Sequence, residues 1–166
     1  MNALKLIVAS ALVVVGSSHA ADSLSVTREV TIDSTPATVW KLVGNFNALD
    51  VWNPAVSKSE INGAGTKVGT KRTLTLAGGS ATCVEQLTAY DAAKTTYSYA
   101  IVSGPLPVTH YKSTISLNAT ADGKTLMKWT STFEAAAGAD SATATRAVEG
   151  VYDGGLAKLV NNFAKQ

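Results

Sequence analysis

Cysteine is almost missing from this 166-residue chain: Cys83 stands alone. One thiol makes no internal disulfide even in an oxidising compartment, so the fold has to rest on its core. Cys83 reads either as a reactive nucleophile or as a small buried hydrophobe. No histidine lies near it in sequence, and buried packing is the expectation. Histidine is nearly as scarce, with only His19 and His110, which argues against His-rich metal sites. No paired-histidine zinc motif, Gly-rich phosphate loop or Ser-His-Asp order is present. Gly63-Ala64-Gly65 lacks the third glycine and the following helix of a dinucleotide fingerprint. No cofactor and no metal is therefore expected, and no catalytic residue is singled out. An excess of one charge is missing too, with 14 Lys and Arg against 12 Asp and Glu. Without a basic stripe or a charged tail, no nucleic-acid partner is expected. Beyond the N-terminus no apolar run approaches the length that spans a bilayer.

The N-terminus has the three parts of a secretory signal. Lys5 is the positive start, Leu6 to Val15 is an apolar run broken only by Ser10, and Ser18-His19-Ala20 puts small residues where a signal peptidase cuts. The run is too short for a stable transmembrane helix, although an uncleaved anchor is the alternative. Residues 1–20 are read as a signal peptide and 21–166 as a single domain with no integral membrane segment. Removing Lys5 and no acid lowers the formal charge from +2 to +1.

Along the mature chain Leu24 to Ile32 alternates as a strand. Asp33-Ser34-Thr35-Pro36 then reads as a helix start, a capping hydroxyl followed by proline. Val39, Trp40 and Val43 share one face of that short helix, and Phe46 with Leu49 to Trp52 suggest a second helical turn ended by Asn53-Pro54. Strand-like segments follow at Ala55–Ile61, Gly69–Leu76, Ala81–Tyr90, Thr95–Val102, Val108–Asn118 and Thr125–Ala135, each closed by a turn signal. Their short gaps suit an antiparallel meander, since parallel neighbours need long crossovers. From about Asp140 to Ala164 the period changes to three and four, with Gly150, Gly154 and Gly155 interrupting it. Those glycines imply either close helix–sheet packing, or room for a ligand beside the helix or a kink. The expected fold is α+β, a curved antiparallel sheet gripping one long C-terminal helix.

Alternation assigns faces. Arg72 shares a face with Leu74 and Leu76, and Glu85 with Cys83 and Leu87. Tyr97, Tyr99 and Ile101 lie together, as do Tyr111, Ser113, Ile115 and Leu117, and then Met127, Trp129 and Phe133. An inward arginine, an inward glutamate and several tyrosine hydroxyls are costly in a dry core unless paired. Two readings stay open: a structural Arg72–Glu85 ion pair with satisfied tyrosines, or a cavity with converging polar groups. The candidate ligand-binding set is Arg72, Glu85, Tyr97, Tyr99, Tyr111, Trp129 and Tyr152. Arg28 has inward parity but could sit at a sheet edge. Trp40 and Trp52 read as packing residues and His110 as a surface residue.

At these residues the chain resembles the bacterial polyketide cyclase/dehydrase and lipid-transport family of the START-like, Bet v 1-like (SRPBCC) superfamily. The resemblance rests on Val39-Trp40, Phe46 through Trp52-Asn53-Pro54, Gly69-Thr70-Lys71-Arg72-Thr73-Leu74, Glu85-Gln86-Leu87 with Asp91, Tyr97-Ser98-Tyr99, Gly104-Pro105-Leu106-Pro107-Val108 with Tyr111, and Trp129. It implies a helix-grip fold of about seven strands around an apolar cavity that takes a hydrophobic small molecule or lipid. Glu85 and Tyr111 resemble the pocket carboxylate and tyrosine of the similar plant abscisic-acid receptors. The lysine of those receptors has no counterpart at Asn53-Pro54-Ala55, so hormone binding of that kind is not implied. Exported members also resemble periplasmic accessory proteins of bacterial methanol oxidation. The resemblance thus implies a periplasmic address and a binding function, with an accessory role beside a secreted enzyme, or cyclase/dehydratase chemistry through Glu85 or Tyr111, as alternatives.

Overall fold

The computed structural model describes residues 23–164. The expected signal peptide, residues 1–20, lies outside the described residues. Strand β1 (Leu24–Ile32) is followed by helices α1 (Pro36–Val43) and α2 (Leu49–Trp52). Six strands come next: β2 (Val56–Asn62), β3 (Lys71–Leu76), β4 (Thr82–Asp91), β5 (Thr96–Ser103), β6 (Val108–Ala119) and β7 (Thr125–Ala135). Helix α3 (Ser141–Phe163) ends the fold.

All pairings are antiparallel, in the order β1-β7-β6-β5-β4-β3-β2. The run from β2 to β7 is a meander because its turns are too short for crossovers. Only β1 breaks sequence order, and the α1–α2 insertion carries the chain from one edge of the sheet to the other. This is the expected helix-grip arrangement, with α3 packed against β1 and β7.

Local chemistry sets the helix ends. Thr35 caps α1 by accepting from the Thr38 amide at 3.3 Å, with Pro36 at the first helical position. Asp140 caps α3 by accepting from the Thr143 amide at 2.6 Å. Strand β3 opens two residues later than the sequence pattern suggests, because Gly69 takes φ +93° and turns the chain.

The glycines of α3 do not interrupt it. Gly155 is there for close approach: a Cβ would fall 2.7 Å from Asn53 Nδ2 and 3.3 Å from the Trp129 ring. The Asn53 side chain is buried, donating to the Val151 carbonyl and accepting from the Ala55 amide, so it has little freedom to move. Gly154 meets Pro54, and Gly150 faces open space.

The inward assignments hold despite bulges in β4 and β6. Arg72, Cys83, Glu85, Tyr97, Tyr99, Tyr111, Ser113 and Trp129 are all buried. Arg28 has the expected inward parity but lies on edge strand β1. There it reaches over to α3, with Nε 2.7 Å from Asp153 and Nη2 3.0 Å from Glu149. Its ion pairs stay partly in water and tie helix to sheet edge at modest gain.

Candidate functional site

The interior between sheet and helix divides into two parts. Under the α1–α2 connection it is solid. Arg72 and Glu85 face each other directly across β3 and β4. Arg72 Nε donates to Glu85 Oε2 at 2.7 Å, and Nη1 donates to the Phe46 carbonyl at 2.5 Å. Nη2 also lies 2.6 Å from Oε2, but without the alignment of a hydrogen bond, so that contact is ionic only. The guanidinium stacks 4.1 Å from the Phe46 ring centre and 5.1 Å from that of Tyr99. Burial alone would pull the Arg72 pKa down. The Glu85 carboxylate and the neighbouring Tyr97 and Tyr99 outweigh it and hold the pKa above the ordinary value. Tyr97 completes this solid part, packed among Trp40, Phe46 and Tyr90. Its hydroxyl has no partner among the described residues, and burial pushes its pKa up to about 12.

Toward the other end of the sheet the interior is hollow, with a cavity of about 100 Å³. The sheet contributes Leu74, Cys83, Glu85, Tyr99, Tyr111 and Trp129, and α3 contributes Val148, Val151 and Tyr152. Partly exposed Ala55, Leu76, Leu106 and Val151 form the mouth. Five of the seven residues expected to bind a ligand meet here: Glu85, Tyr99, Tyr111, Trp129 and Tyr152. Arg72 and Tyr97 are buried in the solid part and do not line the cavity. The ion pair and the cavity, posed as alternatives from sequence, are both present and share Glu85.

Ser113 is a residue the sequence reading placed on the inward face without giving it a role. It is the hub of the cavity wall. Its hydroxyl donates to the Thr130 carbonyl at 2.8 Å and accepts from Trp129 Nε1 at 2.9 Å. Its only proton is thus committed, so the Tyr152 hydroxyl, 2.9 Å away, must donate to it. Tyr152 then accepts from the Tyr111 hydroxyl at 2.6 Å. Tyr152 also stacks on Trp129, ring centres 4.0 Å apart. Tyr99 accepts a share of the Trp129 N–H at 3.1 Å, and its own proton is left uncommitted.

Counting protons therefore defines what the cavity offers. Both Arg72 contacts fall on Glu85 Oε2. Oε1 makes no hydrogen bond among the described residues, on a side chain that lines the cavity. Glu85 Oε1 is thus left as an unspent acceptor and the Tyr99 hydroxyl as an unspent donor, on two side chains that line a mostly apolar cavity. Burial raises the Tyr99 and Tyr111 pKa values well above the ordinary value, and raises that of Tyr152. These phenols stay protonated at neutral pH and act as hydrogen-bonding groups rather than bases. Cys83 is buried, its thiol pushed up to about 12 by burial and by Glu85, which keeps it from acting as a nucleophile. No cluster of His, Cys, Asp and Glu suited to a metal occurs among the described residues. His110 is exposed at a β6 bulge, 3.1 Å from Glu134.

The sequence pattern of the polyketide cyclase / dehydrase and lipid transport family matches residues 23–164. The chain belongs to that family. Its solved relatives include the protein XoxI from Bacillus cereus, 30% identical, with a TM-score of 0.77 over 84% of this chain and 95% of that one. An uncharacterized protein from Bacillus thuringiensis is also 30% identical, with a TM-score of 0.77 over 85% of this chain and 99% of that one. A protein from Thermobifida fusca is 27% identical, with a TM-score of 0.74 over 85% of this chain and 93% of that one. No curated protein matches the sequence. Family membership, the seven-stranded sheet and the long C-terminal helix agree with one another.

Proposed function

We propose that the protein is an exported, periplasmic carrier or sensor of a small hydrophobic molecule bearing one hydroxyl-type group. The observation that carries this is the unspent pair at the cavity, Glu85 Oε1 as acceptor and the Tyr99 hydroxyl as donor, set among apolar and aromatic walls. A ligand hydroxyl satisfies both at once, donating to the carboxylate and accepting from the phenol. The rest of the ligand gains by burying its apolar surface, roughly 25 cal/mol per Å². The cavity, about 100 Å³, is smaller than the usual ligand pocket of roughly 300–1,000 Å³. It accepts the head of a ligand, while a longer tail passes the mouth between Leu106 and Val151. Export follows from the signal-like N-terminus, and it favours carriage over intracellular cyclisation chemistry.

The protonated phenols and the buried thiol support binding over catalysis. Glu85 is also the counter-ion of Arg72, so Glu85→Gln disturbs the fold and the site together. Tyr99→Phe is the cleaner probe. Native mass spectrometry of the processed protein should show a co-purifying apolar molecule. Octan-1-ol should bind wild type several-fold more tightly than Tyr99→Phe, while octane, which lacks the hydroxyl, should not distinguish them. Absence of any bound or bindable apolar compound would remove the carrier reading. A stoichiometric protein recovered from the extracytoplasmic fraction would replace it with the accessory role.

A further inference from the structure

Two bulges flank one hairpin, at the same level. The β5–β6 ladder ends at Ala100 opposite Lys112, although β5 runs on to Ser103 and β6 begins at Val108. On the β4 side Val84 pairs with Ser103 and Glu85 with Ile101, which leaves Val102 as an extra residue. On the β7 side Thr109 pairs with Glu134 and Lys112 with Thr132, so His110 and Tyr111 stand opposite Phe133 alone. His110 takes φ +52°, a left-handed conformation that is costly for a residue with a side chain. A bulge ends pairing and bends its strand. With one on each outer side, β5 and β6 part before they reach their turn. Both ends of that turn are tied to the outer neighbours instead. Gly104 sits so close to Cys83 of β4 that a Cβ would come within 2.9 Å of its sulfur. The Ala136 amide beyond β7 donates to the Pro107 carbonyl at 3.0 Å.

The gap holds a hollow of about 230 Å³, lined on one strand by residues 101–104 and on the other by 108–111. Ile101 and Tyr111 line the interior cavity as well, so the two spaces share that wall. Ile101 is the direct partner of Glu85, and the Tyr111 ring centre lies 6.2 Å from that of Tyr99. The hollow therefore starts one residue beyond the unspent acceptor and donor. The cavity alone is smaller than the usual ligand pocket, whereas the two spaces together reach the lower end of the usual range of roughly 300–1,000 Å³. The hollow is also less apolar than the cavity. Ser103 on β5 and Thr109 on β6 bring hydroxyls from either side, and the facing edges of 102–103 and 108–110 are not laddered with each other.

We infer that the gap between β5 and β6 is a second subsite of the cavity, which takes a further hydrogen-bonding group of the ligand, of hydroxyl or amide type. The inference rests on the carrier reading and narrows its ligand to a short apolar body with a polar group at each end. Glu85 Oε1 and the Tyr99 hydroxyl satisfy the first group. The second passes between Ile101 and Tyr111 and meets the Ser103 and Thr109 hydroxyls in place of the water it gives up. A ligand with one polar end leaves those hydroxyls to water and gains nothing from them.

The test titrates the chain from residue 21, which contains every described element of the fold, calorimetrically with hexan-1-ol and with hexane-1,6-diol. A second hydroxyl carried into an apolar site without a partner should weaken binding by about tenfold or more. The diol should instead bind wild type at least as tightly as hexan-1-ol. Ser103 and Thr109 are exposed and do not line the interior cavity. Ser103→Ala combined with Thr109→Val should therefore leave hexan-1-ol within about twofold and weaken the diol by about tenfold, the loss of two hydrogen bonds. The unchanged affinity for hexan-1-ol shows at the same time that the double variant is folded. A diol about tenfold weaker than hexan-1-ol in wild type, a diol affinity untouched by the double variant, or equal losses for both compounds would each overturn the inference. If hexan-1-ol binds wild type and the diol behaves in one of those ways, the subsite falls and the carrier reading stands. If neither compound binds, both fall.

Discussion

The solid and hollow parts of the interior are built from the same kinds of residue, yet they do different things. Both present polar tips among aromatic rings. Under α1–α2 the Phe46 carbonyl, the Phe46 ring and Tyr97 fill the space around Arg72, whose Nε and Nη1 are hydrogen-bonded while its Nη2 and the Tyr97 hydroxyl are not. At the cavity end Ala55, Val148 and Val151 put short side chains opposite the sheet, beside the larger Leu49, Leu106 and Tyr152. Space is left, and Glu85 belongs to both parts. One carboxylate oxygen is held by Arg72, and the other makes no hydrogen bond on a side chain that lines the hollow. The lesson is that chemical inventory does not decide between core and site; the volume opposite it does.

The comparison breaks most severely at the ion pair. Arg72→Met leaves Glu85 buried without its counter-ion and should cost about 3–5 kcal/mol in urea unfolding, whereas Arg72→Met with Glu85→Leu should recover most of it. A double variant as unstable as the single one would mean that the pair is not the unit. Next is alkaline unfolding. The folded state keeps the Tyr97 proton up to about 12, whereas the unfolded chain releases it near its ordinary value of about 10. That contribution is intact below about pH 10 and is lost as the pH rises through about 12, on the order of 3 kcal/mol. Tyr97→Phe should flatten that part of the stability-versus-pH curve, and an unchanged curve would contradict it.

Smaller effects lie along α3. Gly155→Ala should destabilise by about 1–3 kcal/mol, because its methyl meets the buried Asn53 amide. Gly150→Ala, facing open space, should stabilise by up to about 1 kcal/mol. Thermal melts of the two variants should therefore move in opposite directions. Tyr111→Phe should be the mildest, about 1 kcal/mol, since it removes only the donor to the Tyr152 hydroxyl.

Much of this was legible in the sequence. Turn signals placed the strands to within a residue or two, and strict alternation put Arg72 and Glu85 inward. The two readings of that inward polar set could not be separated, because separating them depends on what α1–α2 and α3 place opposite each residue. Arg72 and Tyr97 went to the filled part for that reason, although their strand parity is the same as that of Glu85 and Tyr99. Ser113 carried a signal, an inward hydroxyl between Tyr111 and Ile115. Its role as hub needed the register with β7 and the position of Tyr152. The α3 glycines likewise became interpretable only once Asn53 and Pro54 were seen against Gly155 and Gly154.

The distinction between the two parts is tested most directly by titrating octan-1-ol calorimetrically against wild type, Val148→Phe and Tyr97→Phe. Val148 is buried and lines the cavity, so the added ring fills the hollow. Binding to wild type and Tyr97→Phe with equal affinity, and loss of binding in a folded Val148→Phe, is the predicted result. Undiminished binding to Val148→Phe, or loss in Tyr97→Phe alone, would contradict it.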